Sequence, residues 1–344
     1  MLSFPARTTC VATIAIALLA LSGAGHAQTL LLEDCRISAG PGYPGIKARC
    51  GTMLRPQDPT DPDSPEIEIR VAVVPALNLN PQNDPIVPIA GGPGQSSVEF
   101  YSGYAGAFEP VRRNRDILLV DQRGTGESAR MDCPIDEEAL LFEGEFSLED
   151  TVQFVEECLE SLPHDPRYFS TSVAITDLEA IRKALGYTAL NLYGVSYGTR
   201  VAQQFARRYP DSTRTVVIDG VVPPQISLGP EIATESQKAV DRILARCVED
   251  AACNERFPSI EATFVRVVAR LREAPVEVSV PHPNTGRAEV ISFGEAELAG
   301  AVRLLAYNPR TIALIPLFVH EAGQGNWVPL ASQYMMTAIA MSDA

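Results

Sequence analysis

The 344-residue chain reads as an α/β protein, with a mostly parallel sheet covered on both faces and a mainly helical cap after it. Three observations carry that reading. Short runs that are apolar nearly throughout recur at residues 85–90, 116–120, 190–193 and 215–222, and strands buried on both faces belong to parallel sheets. These runs alternate with helical periodicities such as Ile175, Leu178, Ile181 and Leu185, stopped by Gly186, the order that builds βαβ units. From Pro223 the texture turns helical, over 232–249, 260–272, 295–307, 311–321 and 328–341, broken by a hairpin pattern at 276–280 and 289–293.

Taken in order, residues 1–27 read as a secretory leader. Arg7 is its charge, 11–21 its apolar core and Gly25-His26-Ala27 a small-residue cleavage site, so the mature chain is expected from about Gln28. The apolar run is too short to favour a stable membrane anchor, and the expected location is periplasmic or extracellular. Residues 28–65 carry Cys35 and Cys50 around a Gly/Pro-rich loop, and Ile67, Ile69, Val71 and Val73 then alternate as a half-exposed strand. A loop-rich stretch, 131–172, holds one helix opened by a capping box at Ser147 and Asp150. The expected division is a core over 28–222 and a cap over 223–344.

In parallel sheets chemistry collects at the carboxyl ends of strands, and three special turns fall there. The first is Gly194-Val195-Ser196-Tyr197-Gly198, between an apolar run and an amphipathic helix bearing Val201, Ala202, Phe205 and Tyr209. Strand, Gly-x-Ser-x-Gly and helix in that order form a nucleophile elbow, which makes Ser196 the candidate catalytic residue. The second is Gly91-Gly92-Pro93-Gly94, where backbone N–H groups can approach a developing oxyanion without side chains intervening. Pro93 has no N–H, so Gly92 and the amide of Tyr197 are the expected donors. The third, Asp121 to Ser128, lacks both the Walker ending and a G-x-G-x-x-G pattern. Asp121 and Arg123 are therefore assigned to ordering the loop beside the elbow.

The set Gly91-Gly92-Pro93-Gly94, Asp121-Gln122-Arg123-Gly124-Thr125-Gly126, Asp177-Leu178-Glu179-Ala180-Ile181-Arg182 and Leu192 to Gly198 resembles the α/β-hydrolase family of proline iminopeptidases and secreted tripeptidyl aminopeptidases. The Cys247 and Cys253 pair followed by Phe257-Pro258 is similar to the cap of the tripeptidyl branch. The resemblance implies a serine peptidase that removes residues or short peptides from free N-termini. The chain departs from it at Ala90, where iminopeptidases carry histidine.

A larger departure is the absence of the Asp and His that the family places after two further core strands. Beyond Val222 only Asp241, Asp250, Asp343, His282 and His320 occur, none in a matching loop. The expectation is that the chain holds the amino-terminal part of the enzyme and is inactive and poorly folded by itself. An esterase or lipase would use the same Ser196. A non-catalytic binding protein that kept the fold is a reading from another class. An elbow serine argues against epoxide hydrolases and dehalogenases, which carry aspartate there.

Six cysteines, Cys35, Cys50, Cys133, Cys158, Cys247 and Cys253, follow the leader, and an even count in an exported chain reads as disulfides. Local pairing, Cys35–Cys50, Cys133–Cys158 and Cys247–Cys253, is the expectation among the many connectivities. With no C-x-x-C and few histidines, no metal or other cofactor is expected. A net charge of −15 disfavours nucleic acid or an anionic membrane as partner, leaving a peptide or small ester as substrate. The acidic cap residues Glu231, Glu235 and Asp241 are candidates in type for holding a substrate amine.

Overall fold

A computed structural model describes residues 30–40, 42–133 and 148–342. The leader and the Ser147 end of the capping box lie outside the described residues. The sheet is built from β1 (Glu33–Ile37), β2 (Ile46–Pro56), β3 (Glu66–Val74), β4 (Gln82–Ile89), β5 (Arg115–Val120), β6 (Leu190–Val195) and β7 (Thr213–Asp219), in the order β1-β2-β3-β5-β4-β6-β7. β1, β2 and β3 form an antiparallel meander, and β3 meets β5 antiparallel. β5, β4, β6 and β7 run parallel.

Helices cover both faces of this sheet. On one side α1 (Ser97–Arg112) brings Tyr101 and Phe108 against Ala72, Val74, Ile117 and Leu119. On the other, α3 (Thr171–Ala184) and α4 (Gly198–Arg208) bring Ile175, Ile181, Val201 and Phe205 against Val71, Val73, Leu118 and Leu192. Successive residues of β3 and β5 thus enter opposite cores, as the period of two requires. The second half of β3 is therefore buried on both faces, not half-exposed as its alternation predicts. A further helix, α2, spans Leu148–Ser161.

β7 ends the strand order, paired with β6 alone among the described residues. Its apolar residues stand in the open, with Val216 38%, Val217 52% and Ile218 40% exposed. An unpaired edge with an uncovered apolar face is a template for further strand pairing.

Residues from Ile232 on form α5 (Ile232–Glu249), α6 (Ala251–Arg256), α7 (Ile260–Glu273), the β8–β9 hairpin (Val276–Pro281, Ala288–Phe293), α8 (Glu295–Leu305), α9 (Pro309–Ile312), α10 (Ile315–Gly323) and α11 (Val328–Ser342). They close on a core of their own, including Leu244, Val267, Phe293, Leu305 and Val319, that shares no residue with the two sheet cores. The cysteines pair as Cys35–Cys50, Cys133–Cys158 and Cys247–Cys253. The first staples β1 to β2, and the last ties α5 to α6.

Candidate active site

Ser196 stands between β6 and α4 with φ +53°, a left-handed conformation that costs a non-glycine residue on the order of 1–3 kcal/mol. Its two glycines are explained by contact. A Cβ on Gly194 would lie 2.3 Å from the Gly198 carbonyl oxygen, and one on Gly198 would lie 2.3 Å from that of Ile89. Every obstructing atom belongs to the backbone, so no side-chain adjustment makes room. The Ser196 N–H donates to the Asp219 carbonyl oxygen at 2.8 Å, and the Thr199 hydroxyl accepts from the Val222 N–H at 2.9 Å. The turn is thereby fastened to the end of β7 and the segment after it.

The Gly91–Gly94 loop lies against this turn. A Cβ on Gly91 would stand 3.2 Å from Cβ of Ser196, which leaves the loop backbone as the surface facing the hydroxyl. Gly92 has φ +98°, and a Cβ there would lie 2.7 Å from the Gly94 nitrogen. The loop runs into α1, whose start is capped by the Ser96 hydroxyl accepting from the Glu99 N–H at 3.1 Å.

Asp121 clamps this loop to its neighbour. Its carboxylate accepts from the Ser96 hydroxyl at 2.8 Å, the Val98 N–H at 3.2 Å and the Glu127 N–H at 3.3 Å. Burial pushes the Asp121 carboxyl above the ordinary carboxylate range, and these donors oppose the shift only in part. Gly126 is required beside it, because a Cβ would lie 2.2 Å from an Asp121 oxygen.

Arg123 is also buried. It pairs with Asp177 through Nε–Oδ2 at 2.8 Å and Nη2–Oδ1 at 3.0 Å, and its remaining N–H groups reach the carbonyls of Pro56, Gln57 and Tyr168. Arg55 adds a second cation to Asp177 at 3.0 Å. This network joins β2, the turn after β5 and α3. Tyr197, whose amide is the second expected oxyanion donor, has its phenol hydrogen-bonded to the Thr171 hydroxyl at the start of α3.

Ser196, Gly92 and Tyr197 thus meet at the carboxyl ends of β4 and β6, with Asp121 and Arg123 in the supporting turns. The described histidines are engaged elsewhere. His282 accepts from the Asn284 and Thr285 N–H groups in its own hairpin turn. His320 bonds Gln324 and meets the Phe257 ring edge-on at 5.4 Å. His164 stacks on Phe169 at 5.6 Å. Among the described residues no side chain is hydrogen-bonded to the Ser196 hydroxyl. Glu235 and Asp241 are occupied on their own helix, by Lys238 and Gln237, each at 2.7 Å.

Two features of the site escape the sequence reading. Asp219 serves the elbow through its main-chain carbonyl, a group every residue has, so its identity carries no signal. Its carboxylate accepts from the Tyr193 hydroxyl at 2.8 Å, and burial, with the carboxylate beside it, pushes that phenol up to about 12. Thr171 reaches Tyr197 across a non-local pairing, which no local pattern announces.

Residues 84–252 match a family model described as alpha/beta hydrolase fold. Over 279 residues the chain is 28% identical to "Putative hydrolase YuaR" of Escherichia coli (strain K12), covering 74% of this chain and 55% of that protein. It is 29% identical over 223 residues to "Serine protease Hip1" of Mycobacterium tuberculosis (strain ATCC 25618 / H37Rv), covering 60% and 42% respectively. Identity to the "Tripeptidyl aminopeptidase" of Streptomyces lividans is 26% over 231 residues, covering 60% and 42%. The chain spans about half the length of the curated relatives it matches.

Proposed function

We propose, from the premise that residues 84–252 make this chain a member of the alpha/beta hydrolase fold family, that it carries the nucleophile half of an exported serine peptidase acting on free peptide N-termini. The observation that carries the reading is the strained Ser196, at φ +53°, on a turn whose glycines are both demanded by backbone contact. Strain held in place by the surrounding fold marks a working residue. The relatives named as a serine protease and a tripeptidyl aminopeptidase support peptides as the substrate class. Disulfide pairing of all six cysteines after residue 30, with the leader pattern, supports export.

Ser196 would attack the scissile carbonyl while the Gly92 and Tyr197 N–H groups receive the oxyanion. A serine hydroxyl needs an adjacent base to become a competent nucleophile, and none of the described histidines provides one. The reading therefore places the base and its orienting acid on strands that extend the sheet beyond β7, whose exposed edge and apolar face are ready for them. Residues 223–344 then act as the cap over the completed site, and the chain by itself is expected to turn over peptide poorly.

Fluorophosphonate labelling tests the assignment, on the chain alone and on a longer form extended past residue 344 by the strands this reading calls for. The longer form is expected to label at Ser196 and cleave peptide amides, and Ser196→Ala to lose both. Undiminished labelling of Ser196→Ala would overturn the nucleophile. Peptide turnover by the chain alone, at the rate of the longer form, would overturn the missing base.

A further inference from the structure

A cavity of about 340 Å³ opens beside the elbow, walled by Phe169, Met131, Thr171, Tyr197, Gln122 and Arg123. It shares Tyr197 with the oxyanion site and Pro93 and Gly94 with the glycine loop, so a substrate whose carbonyl lies between those donors has one flanking group at its mouth. Its aromatic wall is fixed in advance. Arg123 stands 5.8 Å from the centre of the Phe169 ring, and His164 stacks on that ring at 5.6 Å. Gly124 has φ +84°, and a Cβ there would lie 2.9 Å from Phe169 and 3.4 Å from Met131. The glycine is what lets both side chains close on the cavity.

The electrostatics of the cavity are unusual for a site beside an arginine. Arg123 is the only formal charge among the described lining residues. Its five N–H groups are all taken, two by Asp177 and three by main-chain carbonyls. The guanidinium therefore has no donor left for a ligand, and it shares the single carboxylate of Asp177 with Arg55, so the cluster keeps a net positive charge. A cationic group entering here would lose hydration and meet like charge with no counter-ion, and an anionic one would lose hydration and find no free N–H donor on Arg123.

Position selects the side of the substrate. In the strand order β5-β4-β6-β7 the cavity lies on the β5 side of the elbow, while the open edge is on the β7 side. The β5 side offers no base, since the Asp121 carboxylate is enclosed by its three donors. A base coming from the β7 side meets the leaving group there, because the group that takes the serine proton must hand it to the departing amine. The acyl part of the substrate then turns toward β5.

We propose that this cavity is the subsite for the side chain of the residue that contributes the scissile carbonyl, and that it accepts uncharged, apolar side chains and rejects ionised ones. The proposal rests on Ser196 being the nucleophile. The test is a panel of peptide amides on the extended form proposed above, with a common leaving group and only the acyl residue varied. Leucine and phenylalanine are expected to exceed glutamate and lysine in kcat/KM by about 10- to 100-fold, the scale set by pocket complementarity and desolvation. Met131→Glu places a carboxylate at the wall and is expected to raise the lysine-to-leucine ratio by roughly tenfold. A melting curve shows whether that variant has folded, and the wild-type panel stands without it. Equal cleavage of leucine, glutamate and lysine would overturn the subsite. So would a folded Met131→Glu that leaves the ratio unmoved. Failure of the wild-type protein to label with fluorophosphonate is a separate result, which overturns the nucleophile and not the cavity's selectivity alone.

Discussion

Replacing Gly198 by alanine tests whether the elbow is set by backbone contact. The added Cβ would lie 2.3 Å from the Ile89 carbonyl oxygen, 2.6 Å from that of Ala90 and 2.9 Å from the Ile89 carbonyl carbon. Ordinary contact begins at 3.4 Å, so α4 must withdraw from the end of β4 by about 1 Å. Two of these atoms belong to the last residue of β4, a central strand of the sheet, and the third to the residue after it; all are backbone, so neither partner has a rotamer to change. Overpacking costs about 1–3 kcal/mol, and this geometry belongs at the upper end. For a domain of this size each kcal/mol lowers Tm by roughly 2–4 °C, so a loss of about 6–12 °C is expected by scanning fluorimetry. Displacing the nucleophile by about 1 Å should slow acylation on the order of 100-fold, read as the rate of fluorophosphonate labelling in the extended form proposed above. Gly106→Ala is the matched control, since nothing lies within 4 Å of its Cβ position inside α1. It should leave Tm unchanged or raise it by the equivalent of roughly 0.5–1 kcal/mol. A Gly198→Ala protein with the melting point and labelling rate of Gly106→Ala would refute the reasoning.

Four further outcomes follow from the same structure. Asp177→Asn leaves Arg123 buried against a neutral amide, with side-chain exposures of 1% and 3% for the pair, and should cost about 3–5 kcal/mol; a denaturant midpoint unchanged from wild type would contradict it. Burial raises the Asp121 carboxyl in the folded state, so its contribution to stability is greatest below the unfolded pKa and falls as pH rises through the folded one. The Tm advantage of wild type over Asp121→Asn should accordingly shrink between acid and neutral pH, and a constant difference would argue against the shift. The Cys35–Cys50 bridge closes a separation of 15 residues, worth about 3 kcal/mol in the chain-entropy model; equal chemical stability of the Cys35→Ser, Cys50→Ser double variant would show otherwise. Val217→Lys puts a charge on the β7 edge, where Val217 is 52% exposed, and should make the chain by itself less prone to self-association, as read by light scattering.

The parts legible in the sequence are those whose causes are local. The elbow could be read because strand period, glycine spacing and helix period sit side by side within 190–209, each answering a constraint inside the same turn. α3 was legible for the same reason, since its buried face repeats at helical spacing and ends at Gly186, φ +73°. The helix α1 was not read, although Ser96 and Glu99 signal its start. Gly103, Gly106 and Pro110 dilute its pattern, and the chain departs from helical geometry at Tyr104. β1 and β2 were hidden by a different cause. Gly51 stands mid-strand because a Cβ would lie 2.2 Å from the Leu31 carbonyl oxygen, and it interrupts the alternation of Ala48, Cys50 and Met53.

The supporting shell of the site was beyond reach for a reason of distance. Arg123 and Asp177 are 54 residues apart, and Thr171 and Tyr197 are 26. Such pairings exist only once the sheet has brought β5, α3 and the elbow together. The dependence also runs the other way. The elbow is strained, and it is held by contacts from β4, β7 and α3 that are not its own neighbours in sequence. A motif can therefore announce where a nucleophile is meant to stand, but the strain is sustained by the sheet around it. The unpaired edge at β7 matters for the same reason: the strand that receives the Ser196 N–H on its Asp219 carbonyl is the one whose outer edge has no partner among the described residues. Pairing that edge would stiffen the turn as well as bring the base, so extension of the sheet is expected to raise both the melting temperature and the reactivity of Ser196. A rise in one without the other would separate the two effects.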